Sequence, residues 1–189
     1  RSCSGFRTLP DYSFESMPEE YAALILIGGY QWQSNEAERV VPIVKRALEK
    51  GIVVGAICNG ASFLARHGFL NQVKHTGNGL EQLKLWGGEN YTNASGYVNR
   101  QAVRDGRVVT ANGSGYLEFA KELLLLLESD APEHIELFYR FQKEGFVKMC
   151  CPPKISFNTV GLFTKDLAKM VTFYREIWGF ETDWNGMDP

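Results

Sequence analysis

Two runs of consecutive apolar residues dominate the first third of the chain: Ala22-Ala23-Leu24-Ile25-Leu26-Ile27 before Gly28-Gly29, and Ile52-Val53-Val54-Gly55-Ala56-Ile57 before Cys58. Neither alternates with polar residues, so each predicts a strand buried on both faces, as in a parallel sheet. Between them, residues 36–50 carry Val40, Ile43, Val44, Ala47 and Leu48 at helical spacing, and Gly51 ends that helix as a C-cap would. Cys58-Asn59-Gly60 breaks the second run, and Ala61 to Arg66 reads as a new helix. Strand, helix, strand, helix in this order predicts a doubly wound α/β sheet.

Further on the periodicity weakens and then recovers. Leu80 to Trp86 reads as a short helix, and Gly96 to Val103 and Arg107 to Ala111 as two strands joined at Asp105-Gly106. Asn112 to Gly115 is a loop, and Tyr116 to Glu128 a strongly apolar helix. Ala131 to Glu144 predicts another helix, with Asp130 as N-cap and Pro132 in its first turn. Cys151-Pro152-Pro153-Lys154 reads as a linker. The pattern then restarts with a strand over Ile155 to Phe163 and an amphipathic helix over Asp166 to Trp178. The chain thus divides into a main domain over 1–128, a helical extension and linker over 129–154, and a short βα segment over 155–189.

Composition narrows the function classes. Of 189 residues 44% are hydrophobic and 22% charged, and the formal net charge is −2. That balance fits an ordinary globular protein and supplies no basic field for nucleic acid or an anionic membrane. No apolar run approaches the roughly 20 residues of a membrane span. The N-terminal Arg1-Ser2-Cys3-Ser4-Gly5 carries no apolar signal-peptide core, so a cytoplasmic location is expected. The four cysteines, Cys3, Cys58, Cys150 and Cys151, match neither a disulfide framework nor a metal-binding pair, and Cys150 and Cys151 are expected as free thiols. No His, Cys or carboxylate cluster has metal-ligand spacing, so neither a metal nor another cofactor is expected.

The chemistry concentrates at Cys58. A residue between a buried strand and a helix is pushed out at the C-terminal edge of the sheet, where open α/β folds bind ligands. The helix that follows presents free N–H groups and its positive dipole end, a field that favours thiolate. Gly60 leaves space for the turn and for close helix packing, the logic of a nucleophile elbow. The plainer reading is a buried structural cysteine.

Over a longer stretch, Leu26-Ile27-Gly28-Gly29, Gly55-Ala56-Ile57-Cys58-Asn59-Gly60, Asp105 to Ala111, Gly113 and Glu118-Phe119-Ala120 resemble the ThiJ/PfpI superfamily in order and spacing. The resemblance covers about residues 5–128. It implies a three-layer, mostly parallel, flavodoxin-like sheet of the class I glutamine amidotransferase type, and a homodimer acting on a small-molecule substrate. Cys58 would be the nucleophile, and the backbone N–H groups of Gly29 and Asn59 would stabilise an oxyanion. Gly28, Tyr30 and Trp32 are the candidates to line the substrate site, with packing as the alternative for the aromatics, Trp86 included. His75 is the candidate catalytic histidine, because related proteins bring one near the cysteine from about this place. His67 is expected to cap its helix or interact with its dipole, and His134 to face solvent.

Two departures from the family pattern stand out. Asn59 occupies the place where peptidase-like members carry histidine, and Asn is no general base. The Thr110 to Gly115 loop has no histidine, so glutaminase activity is not expected. The chain is also expected to lack the family's first strand and helix, with the glutamate that hydrogen-bonds the cysteine. Three functions remain: a cysteine-dependent enzyme acting on an amide, ester or reactive carbonyl, a redox-sensing, stress-protective protein in which Cys58 is oxidised reversibly, or a degenerate scaffold with an inert cysteine. In the tail, Ser156 to Phe163 and Phe173 to Phe180 resemble the opening of a glyoxalase/bleomycin-resistance module. Thr159 stands at that module's first metal position, so no metal chemistry is expected there.

Overall fold

The computed structural model of the chain describes residues 7–146. The linker and βα segment expected beyond them, and Cys3, Cys150 and Cys151, lie outside the described residues. The two apolar runs form β1 (Ala23–Leu26) and β2 (Val53–Ile57). They pair in parallel, with Ala23 opposite Val53 and Leu26 opposite Ala56. Next come β3 (Ala102–Asp105) and β4 (Val108–Ala111), and the sheet order is β1-β2-β4-β3. β4 runs parallel to β2, while β3 closes the edge antiparallel to β4. The hairpin turns at Gly106, whose φ of 54° a residue with a Cβ adopts only under strain.

Burial on both faces explains the apolar run of β2, whereas β1 stands at the edge of the described sheet with Ile25 39% exposed, so the two-sided burial expected for it is not seen. Val54, Ala56 and Val108 pack with α1 (Val41–Glu49), α2 (Asn59–Arg66) and α3 (Leu80–Gly87) on one face. Val53, Val109 and Ala111 pack on the other with Phe119 and Leu123 of α4 (Tyr116–Leu126). Neighbouring strand residues therefore serve opposite cores, giving three layers, as expected. Each large side chain wholly removed from water, such as Phe63 in α2, contributes about 1.5–3 kcal/mol.

The helix expected over 36–50 begins as a 3-10 segment (Asn35–Val40) and becomes α-helical only at Val41, with Pro42 in the first turn. Proline lacks the N–H that an interior position would use, so it sits where none is needed. Gly51 follows the helix with φ 69°, the C-terminal role read from the sequence. The strand expected from Gly96 is shorter and starts at Ala102. The Asn93 side chain accepts the Gly96 N–H at 3.0 Å and turns the chain into a 3-10 segment (Ala94–Gly96) instead. Local side-chain bonding has won over β-propensity there.

The last described helix, α5 (Pro132–Glu144), packs on α4. Its N-cap is Ala131, and Asp130 sits one position earlier, accepting the Ala131 N–H at 2.7 Å. Glu118 of α4 accepts from Tyr139 (3.0 Å) and Lys143 of α5, and Lys121 lies 4.3 Å from the centre of the Tyr139 ring. Among the described residues no helix is long and apolar enough to cross a membrane.

Candidate active site

Three parallel strands end at one edge of the sheet, and each delivers a piece of the site there. β1 runs into Gly28-Gly29, β2 into Cys58, and β4 into Asn112-Gly113. The edge at the C-terminal ends of the strands is where an open α/β sheet leaves a crevice.

Cys58 is the N-cap of α2 and has φ 59° and ψ −126°. A residue with a Cβ held there costs of order 1–3 kcal/mol, so the surroundings must impose the turn. They do so from two sides. The Cys58 N–H donates to the Ala111 carbonyl at 2.9 Å, tying the elbow to β4. Gly60 lies so close to β1 that a Cβ there would meet the Leu26 carbonyl oxygen. The half-buried Cys58 side chain lies between two glycines. A methyl group on Gly28 would sit 3.6 Å from Sγ, and one on Gly113 would sit 3.2 Å from it.

The polar lining consists of amides. Asn78 Nδ2 donates to Cys58 Sγ at 3.4 Å, and Asn78 Oδ1 accepts the Gly113 N–H at 2.9 Å. Asn59 Nδ2 donates to the Gly29 carbonyl at 2.9 Å, which ties the turn after β1 to the elbow helix. Asn59 Oδ1 accepts from Gln82 at 3.0 Å. The Asn59 N–H opens α2 and so has no acceptor within the helix.

The expected site residues divide by position. Gly28 lies against Cys58, and Gly29 is tied to Asn59, the residue that follows the cysteine. Trp32 turns its ring onto Phe63, with centroids 4.8 Å apart, and its Nε1–H donates to the Ile27 carbonyl at 2.8 Å. It staples the turn after β1, the packing alternative, while Tyr30 is 83% exposed. His67 is the C-cap of α2, and His134 is exposed, as expected.

The expectation for His75 needs correction. Its side chain is fully buried and hydrogen-bonded away from the thiol. Nδ1 lies 2.8 Å from the Val73 carbonyl, and Nε2 lies 2.6 Å from the Tyr91 hydroxyl. A carbonyl can only accept, so Nδ1 carries the proton and Nε2 accepts from Tyr91. Both nitrogens are committed, and the ring holds the loop beneath the site rather than facing it. Asn78, three residues later, reaches the sulfur instead. The sequence signal for it was the same Val73 to Asn78 stretch, read for its histidine alone. Gly113, noted only as a family match, is the other contact that sequence reasoning left without a role.

Burial pushes the His75 imidazole below its ordinary range, although its bond to the Val73 carbonyl acts the other way. Burial lowers His67 too, opposed by the charge of Glu38 and aided by that of Arg66. Burial, with Tyr97 nearby, raises the Tyr91 hydroxyl to about 12. A histidine lowered in the folded state binds fewer protons there than in the unfolded chain. Its contribution is complete above the unfolded value of ~6.5 and is lost progressively as pH falls from there through the lower folded value. Thermal melts from pH 7.5 to 5.5 should therefore show a falling Tm, above the range where carboxylates titrate. A Tm that stayed flat or rose would refute neutral, buried His75.

A cavity of about 270 Å³ lies elsewhere, between the N-terminal segment and α1, and none of its lining residues is among those around Cys58. Among the described residues no three His, Cys, Asp or Glu side chains come together to hold a metal ion.

The chain is similar to known proteins in sequence and in fold. A sequence model of the DJ-1/PfpI family matches residues 1–126. An uncharacterized protease, YdeA, of Bacillus subtilis is 38% identical over 149 residues, covering 79% of this chain and 74% of the relative. A second from the same organism, YoaZ, is 34% identical over 140 residues, covering 74% of this chain and 66% of its own length. Among solved structures, a ThiJ/PfpI family protein from Bacillus anthracis superposes with a TM-score of 0.71 at 34% identity, over 74% of this chain and 66% of that one. A DJ-1 superfamily protein from Agrobacterium tumefaciens gives 0.65 at 34% identity, over 75% and 76%. With the family model spanning two thirds of the sequence and the fold shared at this identity, the chain belongs to the DJ-1/PfpI family.

Proposed function

We propose that the chain is a cysteine-dependent enzyme that attacks a small electrophile, an amide, ester or reactive carbonyl, through a Cys58 thiolate. The observation that carries this is the conformation of Cys58: a half-buried thiol at a positive φ, where three strand ends meet. Strain of that kind persists only where the fold enforces it, and it collects at functional sites. Attack on a carbonyl carbon forms an S–C bond and moves the π pair onto oxygen. The N–H groups of Gly29 and Asn59 are the proposed donors to that oxygen. With an ester or amide the C–O or C–N bond breaks, the leaving group takes a proton from water, and hydrolysis of the thioester returns the thiol. An aldehyde adduct takes a proton on oxygen and is a hemithioacetal. The family resemblance further supports a homodimer working in the cytoplasm on a small molecule.

A second reading, redox sensing, is favoured by one observation. Among the described residues the side chain hydrogen-bonded to Sγ is an amide, with no basic group in contact. Peroxide would supply the oxidant: sulfur takes one oxygen, the O–O bond breaks, hydroxide leaves, and a sulfenic acid forms.

Incubation with a panel of amides, esters and glyoxals, read by turnover and by intact and peptide mass, tests the first reading. Turnover with an adduct confined to Cys58 is the expected result. No turnover, with oxidation of Cys58 by mild peroxide ahead of other cysteines, would replace it with the second reading. A Cys58 inert to both would end both.

A further inference from the structure

The amides around Cys58 form a chain whose direction is set by backbone groups at both ends. At one end stands the Gly113 N–H, which can only donate, so the Asn78 atom 2.9 Å from it is the oxygen. The NH2 of Asn78 is therefore the end that faces Cys58 Sγ and Asn59 Oδ1, each at 3.4 Å. At the other end stands the Gly29 carbonyl, which can only accept, so the Asn59 atom 2.9 Å from it is the nitrogen. Asn59 Oδ1 then accepts from Gln82 at 3.0 Å and from Asn78. Neither amide can flip without setting two donors or two acceptors against each other.

The backbone behind Asn78 is anchored as firmly. Two residues earlier, buried Thr76 donates its N–H to Thr110 Oγ1 of β4 at 2.8 Å and its hydroxyl to the Arg100 carbonyl at 2.9 Å. The residue before that is His75, locked between Val73 and Tyr91. A rigid segment thus delivers one amide N–H to the sulfur, and the amide chain holds it as a donor.

From this geometry we infer that Asn78 is a positioning residue for the Cys58 chemistry, and that its Nδ2–H orients the sulfur and donates to it as it reacts. This rests on the reactive-cysteine reading above and gives the site a polar partner in place of a histidine. The donor stabilises negative charge on sulfur, or on an oxygen added to it, and removes no proton; water takes the proton. Asn59, oriented by the Gly29 carbonyl and by Gln82, supports the end of Asn78 that Gly113 selects, because its Oδ1 accepts from the same NH2.

Two substitutions separate this role from simple anchoring of the Gly113 loop. Asn78→Asp keeps an oxygen for the Gly113 N–H but sets a carboxylate, not an N–H, against the sulfur. Asn78→Ala removes both bonds. Cys58 alkylation by iodoacetamide, followed by peptide mass at pH 7.5 on chains with confirmed melts, is the readout. Both variants should react more slowly than the parent, by roughly tenfold for Ala, the worth of one hydrogen bond to a charged group, and by more for Asp. An Asp variant reacting at the parent rate would reduce Asn78 to a loop anchor and overturn the inference. Faster reaction in both would show the amide shielding the sulfur and would overturn it as well. If the folded parent's Cys58 reacts no faster than in urea, the reactive-cysteine reading itself fails and takes this inference with it.

Discussion

Chains carrying Cys58→Ser, Cys58→Ala or Cys58→Gly are expected to lose turnover of any electrophile the parent consumes, by about 10³-fold or more, while remaining folded. Removing a nucleophile whose neighbours stay in place leaves only binding and oxyanion stabilisation, and in enzymes of this kind that residue of activity is small. Serine is the sharper test. Its hydroxyl keeps the position, but the amides around it provide no base to deprotonate it. Stability should move the other way for glycine. Cys58 is held at φ 59° and ψ −126°, where a side chain is strained by roughly 1–3 kcal/mol and glycine is not. Glycine's extra unfolded-state freedom offsets part of that gain, so the Cys58→Gly melt should fall at or above the parent's. A serine variant that kept the parent's turnover would remove Cys58 from the mechanism. A glycine variant melting well below the parent would show that the conformation is not strained.

The second large effect lies behind the thiol. Gly60→Ala should destabilise the chain by about 2–3 kcal/mol and lower Tm by roughly 5–10 °C. An added Cβ would meet the Leu26 carbonyl oxygen closer than real Cβ atoms approach, with the carbonyl carbon and Cβ of Leu26 at 3.1 Å. Two of those atoms are backbone of a strand paired to β2, so neither side can yield without moving the elbow helix. The gain of about 1 kcal/mol in helix propensity from Gly to Ala does not cover that clash. Gly29→Ala is the control, since its Cβ would find only the Trp32 ring, no nearer than 3.8 Å. Urea titration of both variants decides the matter. Equal midpoints for the two would mean that α2 is free to move off β1.

Much of the architecture could be read along the chain because it was written in apolar runs. Ala23–Leu26 and Val53–Ile57 carry no polar residue; β2 is covered on both faces and needs none, while Ile25 of β1 is exposed at the edge of the described sheet, which the apolar run alone did not show. Cys58 was legible for the same reason: a polar break directly after a buried strand and before a helix has to turn sharply. Gly51 and Gly106 announced a helix end and a hairpin turn through φ values that side chains avoid. The start of β3 was not legible, because a single Asn93 side chain redirected residues 94–96 through a hydrogen bond that competes with the sheet.

The roles of polar residues in the site were decided elsewhere. From sequence, a histidine seventeen residues after the cysteine outranked an asparagine three residues further on, because histidine carries proton chemistry and asparagine does not. Only the tertiary structure shows that Thr110 on β4 captures Thr76, that Tyr91 captures His75, and that Asn78 is the side chain left facing the sulfur. Hydrophobic periodicity is a local property, so the chain by itself determined the strands, the elbow and the sulfur atom placed on it. Which donor meets that atom depends on groups 20 to 35 positions apart in sequence. Hydrogen-bond direction among them is set by backbone groups that come together only once the sheet has formed.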